Sequence, residues 1–348
     1  MQFFTDILQH YSWQGLSLIF LVVTLFFTQL YYYTIAYNRI IKFRLLRERP
    51  KRRENPPISV IVALRGESER FLVDELPALL HQEYSHYEVV VVYIGGDNDY
   101  YDELQRIRDN HSYMRLTKMG GSNQRLYIST KQALNVGIKS AQYDSLLFTI
   151  PGSTPLSNEW VATMAKGFER GSVVIAPSIP HFENDNLKTY LMRMIEFNMM
   201  RNAMVRAVDG KPYYAPRSNY GFDRNLYNRT RGYNHLSIDI GENDLYLQAI
   251  ANAKRTSVVM THNAITTEER IDMVSEWAEQ MRYLGHARRY YPTDAKGFAS
   301  RELGSRTLFF TLIITLIVLM PLEIKLGAIA LLLLRYIFVV WSSRRTAQ

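Results

Sequence analysis

Charged side chains follow two long apolar runs of the sequence, and their types and positions could support ligand chemistry. Arg65 and Glu67 come at and just after the end of ISVIVALR, and Asp97 and Asp99 come shortly after EVVVVYI. A third run, SLLFTI, is followed by a Pro-Gly turn without a charged residue. Because hard divalent cations prefer carboxylate oxygens, the third run offers such an ion only backbone carbonyls.

A further acidic group lies in the segment Gly241-Glu242-Asn243-Asp244. Its carboxylates could take part in chemistry. Asn and Asp are also favoured at the N-caps of helices, and a helix is predicted to begin near Leu245. Both interpretations of this segment stay open.

Several kinds of site are excluded by composition. The chain has no cysteine, which excludes disulfides and thiolate metal sites. Its eight histidines lie far apart and lack the helical pair spacing of metalloenzymes. Eight basic residues and one acid between Arg39 and Arg53 carry +7 of the net charge of +8. The remaining charge of about +1 is too small for a nucleic-acid-binding face, so we expect no nucleic-acid partner.

An uncharged run from Gly15 to Tyr37 comes before this basic segment. It is long enough to cross a hydrocarbon core of ~30 Å. Positive charge after the run places that side in the cytoplasm and argues against a cleaved signal peptide, whose basic residues come first. We therefore predict a short external N-terminus at 1–14, a transmembrane helix at 15–38 and a basic juxtamembrane linker at 39–55.

Two more apolar runs, Thr307–Leu322 and Leu326–Trp341, lie near the other end. Each is shorter than the ~20 residues of a usual span, so 307–341 is predicted to be a transmembrane or a re-entrant hairpin. Arginines on both flanks predict that both flanks, including the tail 342–348, are cytoplasmic. Arg335 lies inside the second run and must reach the interface or find a partner. The expected location is the inner (cytoplasmic) membrane, with several spans and the lipid bilayer as partner.

Residues 56–300 are predicted to form one soluble domain that faces the cytoplasm. The β-branched runs are typical of strands covered on both faces. Helices are predicted between and after them at Leu72–His81, Thr130–Ser140, Glu159–Arg170 and Glu268–Tyr290. This alternation indicates an α/β fold with a mostly parallel sheet. Ligands in such sheets bind beyond the carboxyl ends of strands, which places the expected site at 63–67, 93–97 and 150–153.

Five segments, in order along the chain, resemble family 2 glycosyltransferases of the membrane-anchored bacterial type. They are PPISVIVALRGESERFLVDELPALLHQEYSHYEVVVVYIGGDND, KQALNVGIKSAQYDSLLFT, GKPYYAPRSNYGFDRNLY, GENDLYLQAI and SEWAEQMRY. The resemblance covers nearly the whole soluble domain and implies the GT-A (nucleotide-diphospho-sugar transferase-like) fold.

The resemblance also implies a set of site residues. Nucleotide-sugar binding would fall to Arg65, Glu67, Tyr93, Asp97, Lys131 and Arg282. Asn219 would lie on the acceptor side, and Glu242 or Asp244 would be the catalytic base. The partners would be a nucleotide-sugar and a lipid-linked or glycan acceptor.

The sequence departs from the family at its metal-binding positions. Tyr93-Ile94-Gly95-Gly96 stands where the family has Asp-Asp-Gly-Ser, and Ile150-Pro151-Gly152 stands where it has Asp-x-Asp. We therefore expect no metal cofactor, unless Asp97 and Asp99 replace the missing motif for Mg²⁺ or Mn²⁺. Asn243 occupies the position aligned with the catalytic base.

Two of the implied residues have a simpler interpretation. Lys131 could be a solvated helix lysine, since most lysines are exposed. Arg282 lies among apolar residues at helical spacing, which are typical of core or membrane-interface packing.

Two functions from different classes follow from these observations. One is a degenerate family member that takes part in surface glycan or lipid-linked sugar assembly as a non-catalytic scaffold or as a metal-independent component. Such a member could have a membrane protein as its partner. The other is an active inverting glycosyltransferase (hexosyltransferase class) that uses a nucleotide-diphosphate sugar. Loss of metal ligands removes several kcal/mol of transition-state stabilisation and favours the first.

Overall fold

The computed structural model describes residues 13–45, 54–120, 128–230, 232–233 and 241–347. The chain divides into two compact units: Leu46–Tyr291, and Met1–Leu45 together with Pro292–Gln348. Most of the predicted N-terminal segment 1–14 and about half of the linker 39–55 lie outside the described residues.

The described residues of the globular unit, Leu46–Tyr291, contain ten strands in two sheets. The strands are β1 (Ile58–Arg65), β2 (Tyr87–Ile94), β3 (Met114–Met119), β4 (Ser145–Thr149), β5 (Ser153–Pro155), β6 (Val173–Ile175), β7 (Ser178–His181), β8 (Tyr220–Asp223), β9 (Thr256–Val258) and β10 (Thr266–Glu269). Seven form a sheet in the order β3-β2-β1-β4-β8-β6-β9, and three form a sheet in the order β5-β10-β7.

Most pairs in the seven-stranded sheet are parallel, and only β8 runs antiparallel to its neighbours. Ile58 pairs with Tyr87 on one side of β1 and with Ser145 on the other. The predicted α/β fold with a mostly parallel sheet is confirmed. The β-branched residues of β1 and β2 are fully buried, as expected for strands covered on both faces.

The helices of this unit connect the strands and cover both faces of the larger sheet. A π-helical turn (Phe71–Glu75) leads into the first; the α-helices are α3 (Leu76–Leu80), α4 (Asn98–Asn110), α5 (Thr130–Ser140), α6 (Trp160–Phe168), α7 (Leu187–Val208), α8 (Arg224–Arg229), α9 (Leu245–Ile250) and α10 (Val274–Leu284). Short 3-10 helices occur at His262–Ala264 and Gly285–Tyr290.

Close packing of α5 on the sheet depends on a glycine. A Cβ added at Gly137 would lie 2.6 Å from Cγ2 of Ile61. The glycine therefore lets the helix approach β1 and β2 directly.

The prediction of one helix from Glu268 to Tyr290 was wrong. Its first residues belong to β10, which pairs with β5 on one side and β7 on the other. Thr266 and Glu268 are buried, whereas Thr267 and Glu269 are half-buried, so burial alternates with the two-residue period of a strand. Only Val274–Leu284 is α-helical.

The described residues of the second unit are mostly helical, and three of the helices are long and largely apolar. The helices are α1 (Trp13–Tyr31), a π-helical turn (Tyr32–Ala36), α2 (Asn38–Leu45), α11 (Thr293–Leu319) and α12 (Leu322–Ala347). Three helical stretches of the described residues are long and apolar enough to cross a membrane: Trp13–Ile41, Thr293–Leu319 and Leu322–Thr346. The last two begin before the apolar runs that predicted them, and the helix Thr293–Leu319 ends just before Pro321.

Polar side chains join these helices inside their own unit. The core contains Val22, Phe26, Phe309 and Ile313. Arg335 donates a hydrogen bond of 3.0 Å to Oε1 of Gln29, and Nε2 of Gln29 donates one of 2.7 Å to Ser305. Arg335 has therefore found a partner, one of the two outcomes expected for it.

Candidate functional site

A cavity of about 190 Å³ opens where the carboxyl ends of β1 and β4 lie side by side. The chain crosses from β1 to β2 on one side and reaches β4 on the other, so this is the point where the strand order reverses. Open α/β sheets bind ligands at such points. The cavity lining includes Arg65 from β1, Thr149, Ile150 and Pro151 from the end of β4, and Arg217 and Glu242 from later segments.

The charged feature of this cavity is an ion pair between Arg217 and Glu242. Nε of Arg217 donates a hydrogen bond of 2.6 Å to Oε1 of Glu242. Glu242 is only 2% exposed, and its Oε2 has no hydrogen-bond partner among the described residues. Attraction to Glu242 is the main cause that raises the pKa of Arg217. The cavity thus contains a fixed guanidinium and a carboxylate oxygen that can accept a further hydrogen bond.

A glycine and an asparagine hold the acidic segment in place. Gly241 has φ of +109°, a left-handed conformation that favours glycine. The amide of Asn243 donates to the carbonyl oxygen of Ala215, and the backbone N–H of Ala215 donates back to the carbonyl of Asn243 at 3.2 Å. Asn243, at the position aligned with the base, therefore ties Glu242 to the loop that carries Arg217.

Asp244 is held by neutral donors instead of an arginine. Its Oδ1 accepts from the backbone N–H of Leu245 at 2.6 Å, and its Oδ2 accepts from the Tyr291 hydroxyl at 2.7 Å. Burial raises the pKa of Asp244 to about 6. Asp244 therefore serves as the N-cap of α9, which begins at Leu245 as predicted.

The end of β4 offers no ligands for a metal. Ile150 and Pro151 line the cavity, and the backbone N–H of Gly152 donates to Oε2 of the buried Glu75 at 2.9 Å. Burial raises the pKa of Glu75. Within the described ranges, no three or more His, Cys, Asp or Glu side chains lie together as a metal would need. The residues at this edge do not fit the divalent cation that the family resemblance implies.

The residues at the end of β2 are engaged in local structure. Tyr93 is fully buried and stacks on Tyr101, and a Cβ at Gly95 would lie 2.4 Å from the Tyr93 ring. Asp97 caps α4 by accepting from the backbone N–H of Tyr100 at 2.6 Å. Asp99 lies exposed in the first turn of that helix.

Of the predicted nucleotide-sugar set, Arg65 lines the cavity. Glu67, two residues further along the chain, is exposed. Arg65 donates a hydrogen bond to the carbonyl oxygen of Ile128. Lys131, in the first turn of α5, is 1% exposed, so its interpretation as a solvated lysine was wrong. Its positive charge lowers the pKa of Asp244 and offsets part of the effect of burial.

Asn219 and Arg282 lie apart from the cavity lining. Asn219 is fully buried, donates to the carbonyls of Pro177 and Ala264, and accepts from the indole N–H of Trp160 at 3.1 Å. Arg282 is exposed on α10. The structure therefore brings Arg65 and Glu242 together at one cavity and leaves Asn219 in the core.

Sequence reasoning did not single out Arg217 or Tyr291. Arg217 lies in an irregular segment, PRSN, whose composition carries no signal of a pairing with an acid further along the chain. Tyr291 stands in an aromatic stretch that resembles many others in this tyrosine-rich chain. Thr149 was also missed, although it lies in the third predicted strand, one residue before its predicted end at Ile150. Its hydroxyl oxygen has no hydrogen-bond partner in the described ranges.

No family model and no curated protein matches this sequence. Among solved structures, the chain resembles the mannosyltransferase PcManGT from Pyrobaculum calidifontis, solved in complex with GDP-Man and Mn²⁺. The identity is 16%, the TM-score is 0.60, and the match covers 94% of this chain and 95% of that one.

The fold is that of a glycosyltransferase. The match to the mannosyltransferase carries this conclusion. Weaker similarity extends to TarS of S. aureus: its fragment 1-349 with UDP-GlcNAc has 15% identity and a TM-score of 0.44 over 73% of each chain. A second TarS structure has 16% identity and a TM-score of 0.43, covering 66% of this chain and 39% of that one.

Proposed function

We propose that this chain is a membrane-anchored, degenerate member of the GT-A family 2 glycosyltransferases. In this proposal it binds a nucleotide-diphosphate sugar without a divalent metal, facing the cytoplasm, and serves surface glycan or lipid-linked sugar assembly as a non-catalytic or metal-independent component. The observation that carries the proposal is the cavity at the reversal of strand order, which combines Arg65 and Arg217 with one carboxylate.

Guanidinium groups can take over part of the role of a metal in binding. A diphosphate needs positive charge, and arginine binds phosphate through paired, charge-assisted hydrogen bonds. Arg217 is held at the cavity by Glu242, and Arg65 lines the same space. Thr149 and Oε2 of Glu242 supply oxygens that can accept hydrogen bonds from sugar hydroxyls.

The state of the acidic segment favours a binding role over catalysis. Asp244 already accepts two hydrogen bonds, and Asn243 is used to join two backbone segments. With Ile150 and Pro151 in place of metal ligands, the leaving diphosphate would lack a cation that is worth several kcal/mol in the transition state.

Isothermal titration of the full chain in detergent tests this proposal. We expect GDP-mannose or UDP-GlcNAc to bind with equal affinity in Mn²⁺ and in EDTA. Arg65→Gln should weaken binding about tenfold or more, because a hydrogen bond to a charged group is worth ~1.5–3 kcal/mol. Arg106→Gln on α4, an exposed arginine away from the cavity, is the matched control. Binding that requires Mn²⁺, or no binding of either sugar nucleotide, would contradict the proposal.

A second candidate function is active inverting transfer, and the unpaired oxygen of Glu242 favours it. The acceptor hydroxyl would give its proton to Glu242 while its oxygen bonds to the anomeric carbon. The bond from that carbon to the phosphate oxygen would break, and the nucleotide diphosphate would leave with the electron pair. Asp244 is the alternative base.

The double variant Glu242→Gln with Asp244→Asn separates the two candidates. General-base catalysis contributes ~10²–10⁴-fold, so an enzyme would lose its cellular phenotype. Asparagine still caps α9. The glutamine oxygen can still accept from Arg217, which is partly exposed to solvent, so the variant should fold. For a non-catalytic component we expect the phenotype to persist, because the glutamine oxygen can still accept from Arg217 and hold it at the cavity. Removal of the chain from Thr307 onward should abolish the phenotype. A well-expressed, membrane-inserted double variant without function would support active transfer.

The membrane topology in this proposal has three spans with the amino terminus outside. It follows from the basic residues after the first apolar helix and the arginines that flank the last two. A reporter fused after Gln348 should be active in the cytoplasm. A fusion that is active only on the outer side would contradict this topology.

A further inference from the structure

One side of α7 exposes large apolar side chains along its length. Leu187, Leu191 and Ile195 follow one another at four-residue intervals and are 75%, 54% and 43% exposed; Tyr190 and Met199 are 54% and 39% exposed. Residues four apart lie on one side of an α-helix, so these side chains form a continuous strip.

The start of α10 extends this strip sideways. Oδ2 of Asp272 accepts from the backbone N–H of Asn184 at 3.0 Å, which places residues 271–274 beside the beginning of α7. There Ile271, Met273 and Val274 are 45%, 56% and 48% exposed. We call these three residues together with Leu187, Tyr190, Leu191, Ile195 and Met199 the apolar face. In soluble proteins, large contiguous apolar patches mark surfaces that bind a partner or a membrane.

The apolar face rests on a rigid base. Arg270 binds both carboxylate oxygens of Glu196 at 3.1 and 2.9 Å, and the indole N–H of Trp277 donates to Oε1 of Glu196 at 2.7 Å. Met192 and Trp277 pack together underneath. These contacts fix α7 against the start of α10, so the apolar face belongs to a packed part of the fold and is not a frayed helix end.

A bilayer is the partner that this surface fits best. The globular unit continues at both ends into apolar helices, so a membrane is the nearest apolar phase if those helices span it. The segment 282–291, from the last turn of α10 to the start of α11, contains three arginines and no acid. On the elements that carry the apolar face, the acids Glu276 and Glu279 are exposed, and Asp185 is paired with Arg193. Aliphatic side chains with tyrosines and nearby basic residues are the composition of surfaces that lie in the headgroup region.

We propose that the apolar face inserts into the headgroup region of the cytoplasmic leaflet and holds the globular unit in a fixed orientation on the membrane. This inference rests on the membrane anchoring proposed above. The orientation would be set by α7 and α10, in addition to the spanning helices.

Site-specific fluorescence tests the proposal directly, because the chain has no cysteine of its own. Leu191→Cys and Ile195→Cys would each be labelled with bimane in the full chain and reconstituted in vesicles of phosphatidylcholine and phosphatidylglycerol. Brominated phosphatidylcholine should lower the fluorescence at both positions by about twofold or more, since interfacial helices bury their apolar side ~5–10 Å deep.

Two control positions make the result decisive. Arg106→Cys lies on α4, which packs on the edge strand β3, whereas α7 packs near the other edge strand β9; its label should not be quenched. Leu333→Cys in α12 reports on the anchor itself. Quenching at 333 without quenching at 191 and 195 would overturn the inference and leave the anchoring intact, whereas no quenching at 333 would overturn the anchoring.

A second copy of the chain is the competing occupant of the apolar face. Unlabelled Leu191→Cys chains at low density in the same vesicles should remain monomeric after treatment with a bismaleimide. Efficient crosslinking between two copies at position 191, together with unquenched bimane, would show that the apolar face is a homodimer interface and would overturn the proposal.

Discussion

Two parts of the cavity differ in the kind of group they present to a ligand. The end of β4 contributes Ile150 and Pro151, while the later segments contribute the buried pair of Arg217 and Glu242. A metal-dependent site of the family would carry its carboxylates at the end of β4. The difference shows that the charged groups at this cavity come from loops later in the chain and from Arg65, and that the end of β4 contributes apolar side chains.

The largest expected effect comes from breaking the ion pair. Arg217→Met leaves Glu242 buried without its charged partner, and removal of one member of a buried pair costs ~3–5 kcal/mol. We expect the free energy of unfolding of the globular unit, measured in urea by tryptophan fluorescence, to fall by about that amount. Arg106→Met, which breaks an exposed pair with Glu103, should change it by less than ~1 kcal/mol.

The double variant Arg217→Met with Glu242→Met sharpens this test. It removes the unpaired carboxylate as well, and replacing a buried ion pair by apolar residues is often neutral for stability. Most of the loss should therefore be recovered. If both variants are equally unstable, the destabilisation comes from packing of the arginine stem and not from the charge.

A smaller effect is expected from the pH dependence of Asp244. Its pKa rises from 3.8 to about 6 on folding, so the native state binds a proton more tightly than the unfolded state. The stabilisation is complete below pH 4 and is lost as the pH rises to about 6, by ~3 kcal/mol at most. Asp244→Asn cannot lose a proton, so its stability relative to the natural chain should improve over this window.

Thermal unfolding of both proteins from pH 4 to pH 7 measures this difference. Asp102→Asn, at an exposed position on α4, is the matched control and should show no such trend. A constant difference between the Asp244→Asn variant and the natural chain at every pH would mean that Asp244 is ionised throughout.

The smallest expected effect comes from adding a carboxylate to the apolar part of the cavity. Ile150→Asp should weaken nucleotide-sugar binding about tenfold in EDTA, because a carboxylate near the diphosphate would repel it by ~1–2 kcal/mol in a partly solvated site. Mn²⁺ should restore the affinity by bridging the new carboxylate and the diphosphate. Ile150→Asn is the neutral control, and equal affinities of the two variants would indicate that the diphosphate lies elsewhere.

Strands β1 and β2 of the larger sheet could be predicted because the residues that make them apolar are consecutive in the sequence. ISVIVAL and EVVVVYI are continuous β-branched runs, and both are strands within a residue or two of the prediction. The segment from Glu268 failed because TTEE is polar throughout. Its strand conformation depends on pairing with β5 and β7, and on Arg270 and Ser218 binding the carboxylate of Glu268.

Residues of the candidate site could be predicted only where they lie at the end of a predicted strand or in a segment that resembles the glycosyltransferase family. Arg65 and Glu242 were identified in this way. Arg217 was not, since its pairing with Glu242 joins loops 25 residues apart, and no local pattern reports such a contact. Lys131 was misjudged for the same reason, because its burial depends on elements that are distant in sequence.

The contact between Arg335 and Gln29 has a consequence for biogenesis. A charged residue at the centre of an isolated membrane helix costs ~2.5–3.5 kcal/mol, and the partner that relieves this cost lies near the amino terminus. Helix α1 is synthesised before α12 and would therefore already be in the bilayer when α12 arrives and needs it. Deletion of α1 should impair insertion of α12, so these two helices would depend on each other during assembly.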